Sequence, residues 1–401
     1  MLTDDFFDRS LKLHQQLRGK LEITPRVALD TRDMLSIAYT PGVARPCQVI
    51  AADPGQAIEL TIKRNSVAVV TDGSAVLGLG NIGPLGAIPV MEGKAILFKA
   101  YANIDAFPIC LDTQDTDEIV KTVRHIAPVF GGINLEDISA PRCFEVEQRL
   151  QDLGIPVFHD DQHGTAIVVA AALMNASRLL GRPLAKLKVV IHGAGAAGVA
   201  ISRFLCCVDL PQWRHEAVQE LIVCDKQGAI ASCRSDLNSA KRELLSFTNP
   251  RDRRGSLKEV LLGADVFIGV SVGDILSADD IRRMSPNPII LALANPIPEI
   301  DPDIAREAGA AIVATGRSDF PNQVNNVLAF PGIFRGALDA RAPSITAGMK
   351  FAAAMALAGA TESISVERIL PPATDRTVAY RVAEAVASAA RGDCLKKVQG
   401  L

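Results

Sequence analysis

The sequence predicts an α/β protein of two domains: an N-terminal α/β catalytic domain, then a C-terminal Rossmann-type dinucleotide-binding domain with a parallel sheet. Three observations predict this. Short apolar runs alternate with helical patterns along most of the chain. A G-x-G-x-x-G loop follows one such run and opens a helix. At 401 residues the chain exceeds one typical domain, and a hydrophobic content of 48% suffices for two cores.

In the N-terminal half the strand candidates are VAVVT (67–71), FPICLD (107–112), GGINLED (131–137) and IPVFHD (155–160). Helical patterns separate them, among them DTDEIVKTVRHIAPVF and PRCFEVEQRLQDLG. The stretches AYTPGVA (38–44) and 70–99 are dense in glycine and proline and read as loops shaped for ligand approach. An Ala-rich helix over 164–180 ends at Gly181, and the expected division falls just before it, with domains 1–162 and 163–401. A second series follows: LKVVIHG (187–193), ELIVCD (220–225), ADVFIGV (264–270), PIILALAN (288–295) and AAIVAT (310–315). Two Ala-rich patterns close the chain as helices. Strands alternating with helices are the pattern of βαβ units in parallel sheets.

VVIHGAGAAG puts Gly193, Gly195 and Gly198 in the dinucleotide frame, where backbone N–H groups reach a pyrophosphate at a helix N-terminus. The next strand ends at Asp225, 27 residues after Gly198, a candidate for the adenosine ribose hydroxyls. An acid there favours NAD, because it repels the 2′-phosphate of NADP, although Lys226 beside it pulls the other way.

Two strand candidates end in paired acids: Glu136–Asp137 and Asp160–Asp161. Adjacent like charges repel. In an open parallel sheet, ligands bind outside the carboxyl ends of the strands, so neighbouring strands would bring the pairs together. Such a carboxylate set suits Mg²⁺ or Mn²⁺ with positions left for substrate oxygens. Helix capping by one acid of each pair is the alternative. His159 and His163 flank the second pair, but no C-x-x-C or H-E-x-x-H supports zinc, and packing or hydrogen-bonding roles suit them better.

Tyr39, Lys94 and Lys99 lie in the Gly/Pro-dense stretches. A lysine desolvated near a cation has a lowered pKa and serves as a general base, and a tyrosine serves as a general acid. Asn295 ends a strand, and Asn325 and Asn326 open a helix; such amides contact a nicotinamide ribose or a substrate carboxylate, or simply cap.

The formal net charge of −3 favours neither nucleic acid nor an anionic membrane as partner. No run is long enough to span a membrane, the N-terminus lacks a signal-peptide core, and the eight scattered cysteines fit reduced thiols, so a cytoplasmic enzyme is expected.

AYTPGVA, TDGSAVLGLGNIGP, PVMEGKAILFK, NLEDI, HDDQHGT, GAGAAG, ALANPIPEI and PNQVNNVLAFPGIFRGAL, in that order from about 25 to 340, resemble the bacterial-type malic enzymes. The resemblance implies oxidation of malate with NAD or NADP and decarboxylation to pyruvate and CO₂, with Mg²⁺ or Mn²⁺. It implies Glu136, Asp137 and Asp161 as metal ligands with Asp160 behind them, Lys94 as base and Tyr39 as acid. Asn295 and Asn325 would hold malate and the nicotinamide end. A homodimer or higher homo-oligomer is also implied. One departure stands out: an arginine that contacts malate in larger members is Ala75 here. The competing expectations are a 2-hydroxy-acid dehydrogenase that does not decarboxylate, and a nucleotide-sensing protein without catalysis.

Overall fold

The computed structural model describes residues 2–392, with side chains from residue 5. All nine strand candidates form strands. The first sheet pairs β1 (Ser66–Thr71), β2 (Asp105–Cys110), β3 (Gly132–Leu135) and β4 (Val157–His159) in parallel, in the order β2-β1-β3-β4. The second contains β5 (Lys188–His192), β6 (Glu220–Asp225), β7 (Gly228–Ala229), β8 (Val266–Gly269), β9 (Ile289–Ala292) and β10 (Ile312–Thr315), in the order β10-β9-β8-β5-β6-β7. Only β7 runs antiparallel, a two-residue return after β6 too short to read as a strand in sequence. Each sheet reverses its strand order once, between β1 and β3 and between β5 and β8. Such switch points open crevices at the strands' carboxyl ends.

The stretch 70–99 corrects the loop expectation, because Gly83–Ala102 is one helix of 20 residues. Pro84 sits in its first turn, where its missing N–H costs nothing. Pro89 lies inside it. Burial of Ala87, Met91, Ala95, Phe98 and Ala102, spaced at helical intervals, outweighs the bond that proline cannot make.

The Ala-rich helix Thr165–Leu179 buries eleven of its 15 residues. A single apolar cluster runs from Val67 and Phe98 through this helix to Val189 and Ile268 of the second sheet. Phe98 also packs edge-on against Phe330 and Phe334 of helix Phe330–Asp339, with ring centroids 4.8 and 5.3 Å away. The closing helices are Ala347–Gly359 and Thr377–Ala390.

Candidate active site

Beyond β3 the chain makes a left-handed turn at Asp137, with φ 54°, a conformation aspartate tolerates better than most residues. Beyond β4, Asp160–Gly164 forms one π-helical turn leading into helix Thr165–Leu179. Such turns recur at functional sites. Gly164 is required there: a Cβ would lie 1.9 Å from Asp160 Oδ1.

These two turns gather the acids. One carboxylate oxygen each from Glu136, Asp137 and Asp161 lies within 4.8 Å of the others. Glu136, Asp137 and Asp160 are buried, and among the described residues Asp137 Oδ2 and Asp160 Oδ1 have no hydrogen-bond partner. Burial, then the neighbouring Asp161, pushes the Asp137 carboxyl up to about 8. Burial raises Glu136 well above its ordinary value, against the pull of Lys94. A crowded, buried carboxyl cluster carrying orphaned oxygens is one a divalent cation fits.

Lys94, on helix Gly83–Ala102, donates to Asp160 at 2.7 Å and pairs with Glu136 at 2.8 Å. Its ammonium stands 4.4 Å from the Phe330 ring centre. Here the structure corrects the expectation of a lowered pKa. Burial would lower it, but Asp160 and Glu136 outweigh burial and hold Lys94 well above its ordinary value. Asn326 donates to Asp160 at 3.1 Å and to Thr165.

The second sheet meets this cluster through its loops. A Cβ at Gly78, one residue after Leu77, would lie 2.3 Å from the carbonyl oxygen of Asn295. Gly193 takes φ 125° and approaches Val270 across the switch point. Gly195 begins helix Ala196–Leu205 with no side-chain cap, and a Cβ there would meet nothing within 4 Å. Uncapped helical N–H groups facing open space form a cradle that fits a pyrophosphate.

Two family descriptions match the chain: "Malic enzyme, N-terminal domain" over residues 18–151 and "Malic enzyme, NAD binding domain" over 162–391. The bifunctional malic/malolactic enzyme of Bacillus subtilis is 54% identical over 387 residues, 96% of this chain and 92% of that protein. The NADP-dependent malic enzyme of Rhizobium meliloti is 52% identical over 89% of this chain and 46% of its own length. The crystal structure of the NAD-dependent malic enzyme from Thermotoga maritima superposes with a TM-score of 0.90 at 50% identity, covering 94% of this chain and 98% of that one.

The chain belongs to the malic enzyme family.

For a malic enzyme fold, the residues marked in the sequence fall into two groups. Lys94, Glu136, Asp137, Asp160 and Asp161 converge, while Asn295 is placed by its backbone carbonyl against Gly78. Asn325 and Tyr39 do not join them by any bond. Asn325 caps the turn Asn326–Leu328 by accepting from Val327 N, while its neighbour Asn326 reaches Asp160. Tyr39 is 67% exposed. Lys99 pairs with Asp105 instead of entering the site.

Asp225 stands where the motif requires, but it is not free. Arg234 grips both its oxygens at 2.8 and 2.9 Å, and Lys241 adds 2.6 Å. Burial would raise its pKa, but these cations outweigh burial and hold it well below the usual carboxylate range. Gripped in this way, Asp225 does not repel a 2′-phosphate as a bare acid would. Arg234 and Lys241 follow in the same stretch, yet nothing in their spacing marks them as partners of Asp225.

Sequence reasoning also missed Arg142. It donates to Asp72 at 2.7 Å and Ser74 at 3.0 Å, bringing a guanidinium to the stretch where Ala75 stands. The partners are 68 and 70 residues apart in sequence, so only the fold reveals them. His163 and Gln162 both bond to Glu147, in keeping with a hydrogen-bonding histidine, whereas His159 is fully buried with neither ring nitrogen hydrogen-bonded among the described residues.

Proposed function

We propose that this chain oxidises malate with NAD or NADP and decarboxylates the product to pyruvate and CO₂, using a bound divalent cation. The observation that carries this reading is the convergence of Glu136, Asp137 and Asp161 beside Lys94, at the edge of a dinucleotide crevice. Mg²⁺ or Mn²⁺ held by those three carboxylates supplies Lewis-acid polarisation of the substrate's oxygens. The crevice above Gly193, Gly195 and Gly198 holds the dinucleotide, which supplies the hydride acceptor.

Lys94 is the base for the C2 hydroxyl proton. As paired with Glu136 and Asp160 it is a full ammonium that donates hydrogen bonds. To act as base Lys94 must first give up a proton and stand as the neutral amine, which requires release from at least one of these carboxylates; Glu136, a ligand in this reading, is the one with a competing task. Asp160 keeps Lys94 in place, braced by Asn326. Tyr39 is the acid that protonates the enolate carbon after CO₂ leaves. Asn295 holds the substrate or nicotinamide end. With Asp225 neutralised by Arg234 and Lys241, its position serves the adenosine ribose without excluding NADP. The chain works as a homodimer or larger homo-oligomer. No described helix is long and apolar enough to cross a membrane.

One assay tests this. Purified protein is given L-malate, Mn²⁺ and either cofactor; reduced nicotinamide and pyruvate are measured together, with lactate as a third product. Equal amounts of reduced cofactor and pyruvate are expected. Reduced cofactor without pyruvate would replace the reading with a plain dehydrogenase. Silence with both cofactors would leave a nucleotide-binding protein.

A further inference from the structure

The π turn Asp160–Gly164 carries Asp161, one of the three proposed cation ligands, and Asp160 beside it. A single turn of this kind needs support. No side chain caps its start, and the Thr165 N–H closes it on the carbonyls of Asp160 and Gln162. Asp160 is fixed by Lys94 and Asn326. Asp161 has less to hold it. Among the described residues its carboxylate accepts one hydrogen bond, from the Asp137 N–H at 2.8 Å. The donor belongs to another proposed ligand, so the bond ties one ligand turn to the other and leaves open what fixes either.

The next two residues of the turn answer this. Gln162 Nε2 donates to Glu147 at 3.1 Å, and His163 Nε2 lies 2.8 and 2.9 Å from the two Glu147 oxygens. One carboxylate thus grips two successive turn residues that stand 15 and 16 positions further along the chain. Its base is firm. Glu147 sits on helix Arg142–Arg149, whose Cys143 and Val146 pack into the core of the first sheet. Arg142, at the start of that helix, is tied to Asp72 and Ser74.

Packing does not ask for a charge at this position. Glu147 is buried, and the other buried members of its helix are Cys143 and Val146. A leucine would fill the same face without the cost of desolvating a carboxylate. That cost is offset by the bonds to Gln162 and His163, and those bonds act on the turn. A cation's ligands must hold their distances to within about 0.2 Å, which a loosely held turn does not deliver. Groups that orient ligands typically change metal affinity by roughly 10- to 100-fold.

We infer that Glu147 is a positioning residue for the cation site: from helix Arg142–Arg149 it fixes the π turn through Gln162 and His163, and so sets where Asp161 presents its oxygens. This rests on the proposed role of Asp161 as ligand. It adds a residue that touches neither cation nor substrate.

Mn²⁺ binding in the absence of malate and dinucleotide tests it, read from the electron paramagnetic resonance of free Mn²⁺. Glu147→Leu keeps similar bulk on the helix and removes both bonds. Its Kd should rise about tenfold, with the far-ultraviolet spectrum of wild type. Glu147→Gln should stay within about threefold of wild type, because its amide oxygen accepts from Gln162 and its amide N–H donates to a neutral His163. Wild-type affinity in Glu147→Leu would overturn the inference. Equal losses in both variants would overturn it too, since affinity would then follow the charge and not the bonds. If Glu147→Leu does not fold, His163→Phe decides. Its ring still meets Phe158, from which the His163 ring centre lies 5.5 Å, while one grip on the turn is lost. Its Kd should rise at least about threefold, and unchanged affinity would overturn the inference. Asp161→Asn separates this from the reading beneath it: undiminished Mn²⁺ binding there would remove Asp161 as a ligand, and the inference with it.

Discussion

Replacing Gly198 with alanine tests whether the loop after β5 carries the cofactor. A Cβ there would lie 1.7 Å from the Gly193 carbonyl oxygen, whereas ordinary contact begins near 3.4 Å. The loop must therefore open by roughly 1.7 Å. Neither side yields easily. Gly198 is buried in the first turn of its helix, and Gly193 is backed by the Val270 carbonyl, 2.8 Å from its own Cβ position. Overpacking of this kind costs about 1–3 kcal/mol, which a domain of this size survives. Displacing the N–H cradle by more than an ångström should cost the dinucleotide about 2–3 kcal/mol, or roughly 30- to 150-fold in Kd. Titration of NADH fluorescence measures the loss, and a thermal melt measures the stability change beside it. Gly195→Ala is the companion variant. Its Cβ meets open space at an ordinary φ of −93°, so stability should hold while affinity falls, because the methyl occupies the pyrophosphate's approach. Wild-type affinity in both variants would refute the placement of the pyrophosphate.

Three further outcomes follow from the geometry. Mn²⁺ at a hundred times its Kd should stabilise the chain by about 2.7 kcal/mol, and Asp161→Asn should abolish that shift in differential scanning fluorimetry. Arg234→Ala should cost about 2 kcal/mol in urea titration at neutral pH, because it strips one of two cations from a nearly buried carboxylate. The Asp225 pKa is depressed in the folded chain, so this penalty is fully present above the unfolded value near 4 and fades as the pH falls below it. Asn175→Leu should cost about 2–4 kcal/mol by the same titration, since the Asn175 amide serves two buried carbonyls, of Ala358 and Ile369, at 2.9 Å each.

The sequence by itself determined the βαβ series, because fully buried parallel strands require apolar runs that periodicity exposes. Residues 220–225 match β6 to the residue. It determined the glycine loop as well, since close backbone approach admits no Cβ, and the acid pairs, since adjacent like charges at strand ends stand out in any reading. Tertiary structure decided the rest. Helix Gly83–Ala102 forms through Pro89 because burying Met91 and Phe98 outweighs a local penalty that sequence alone reads as a loop. Asp225 is neutralised, and Lys94 is held charged, by partners whose chain distance carries no signal. Electrostatic environment depends on what folding brings within a few ångströms, and the Coulomb interaction is blind to sequence separation.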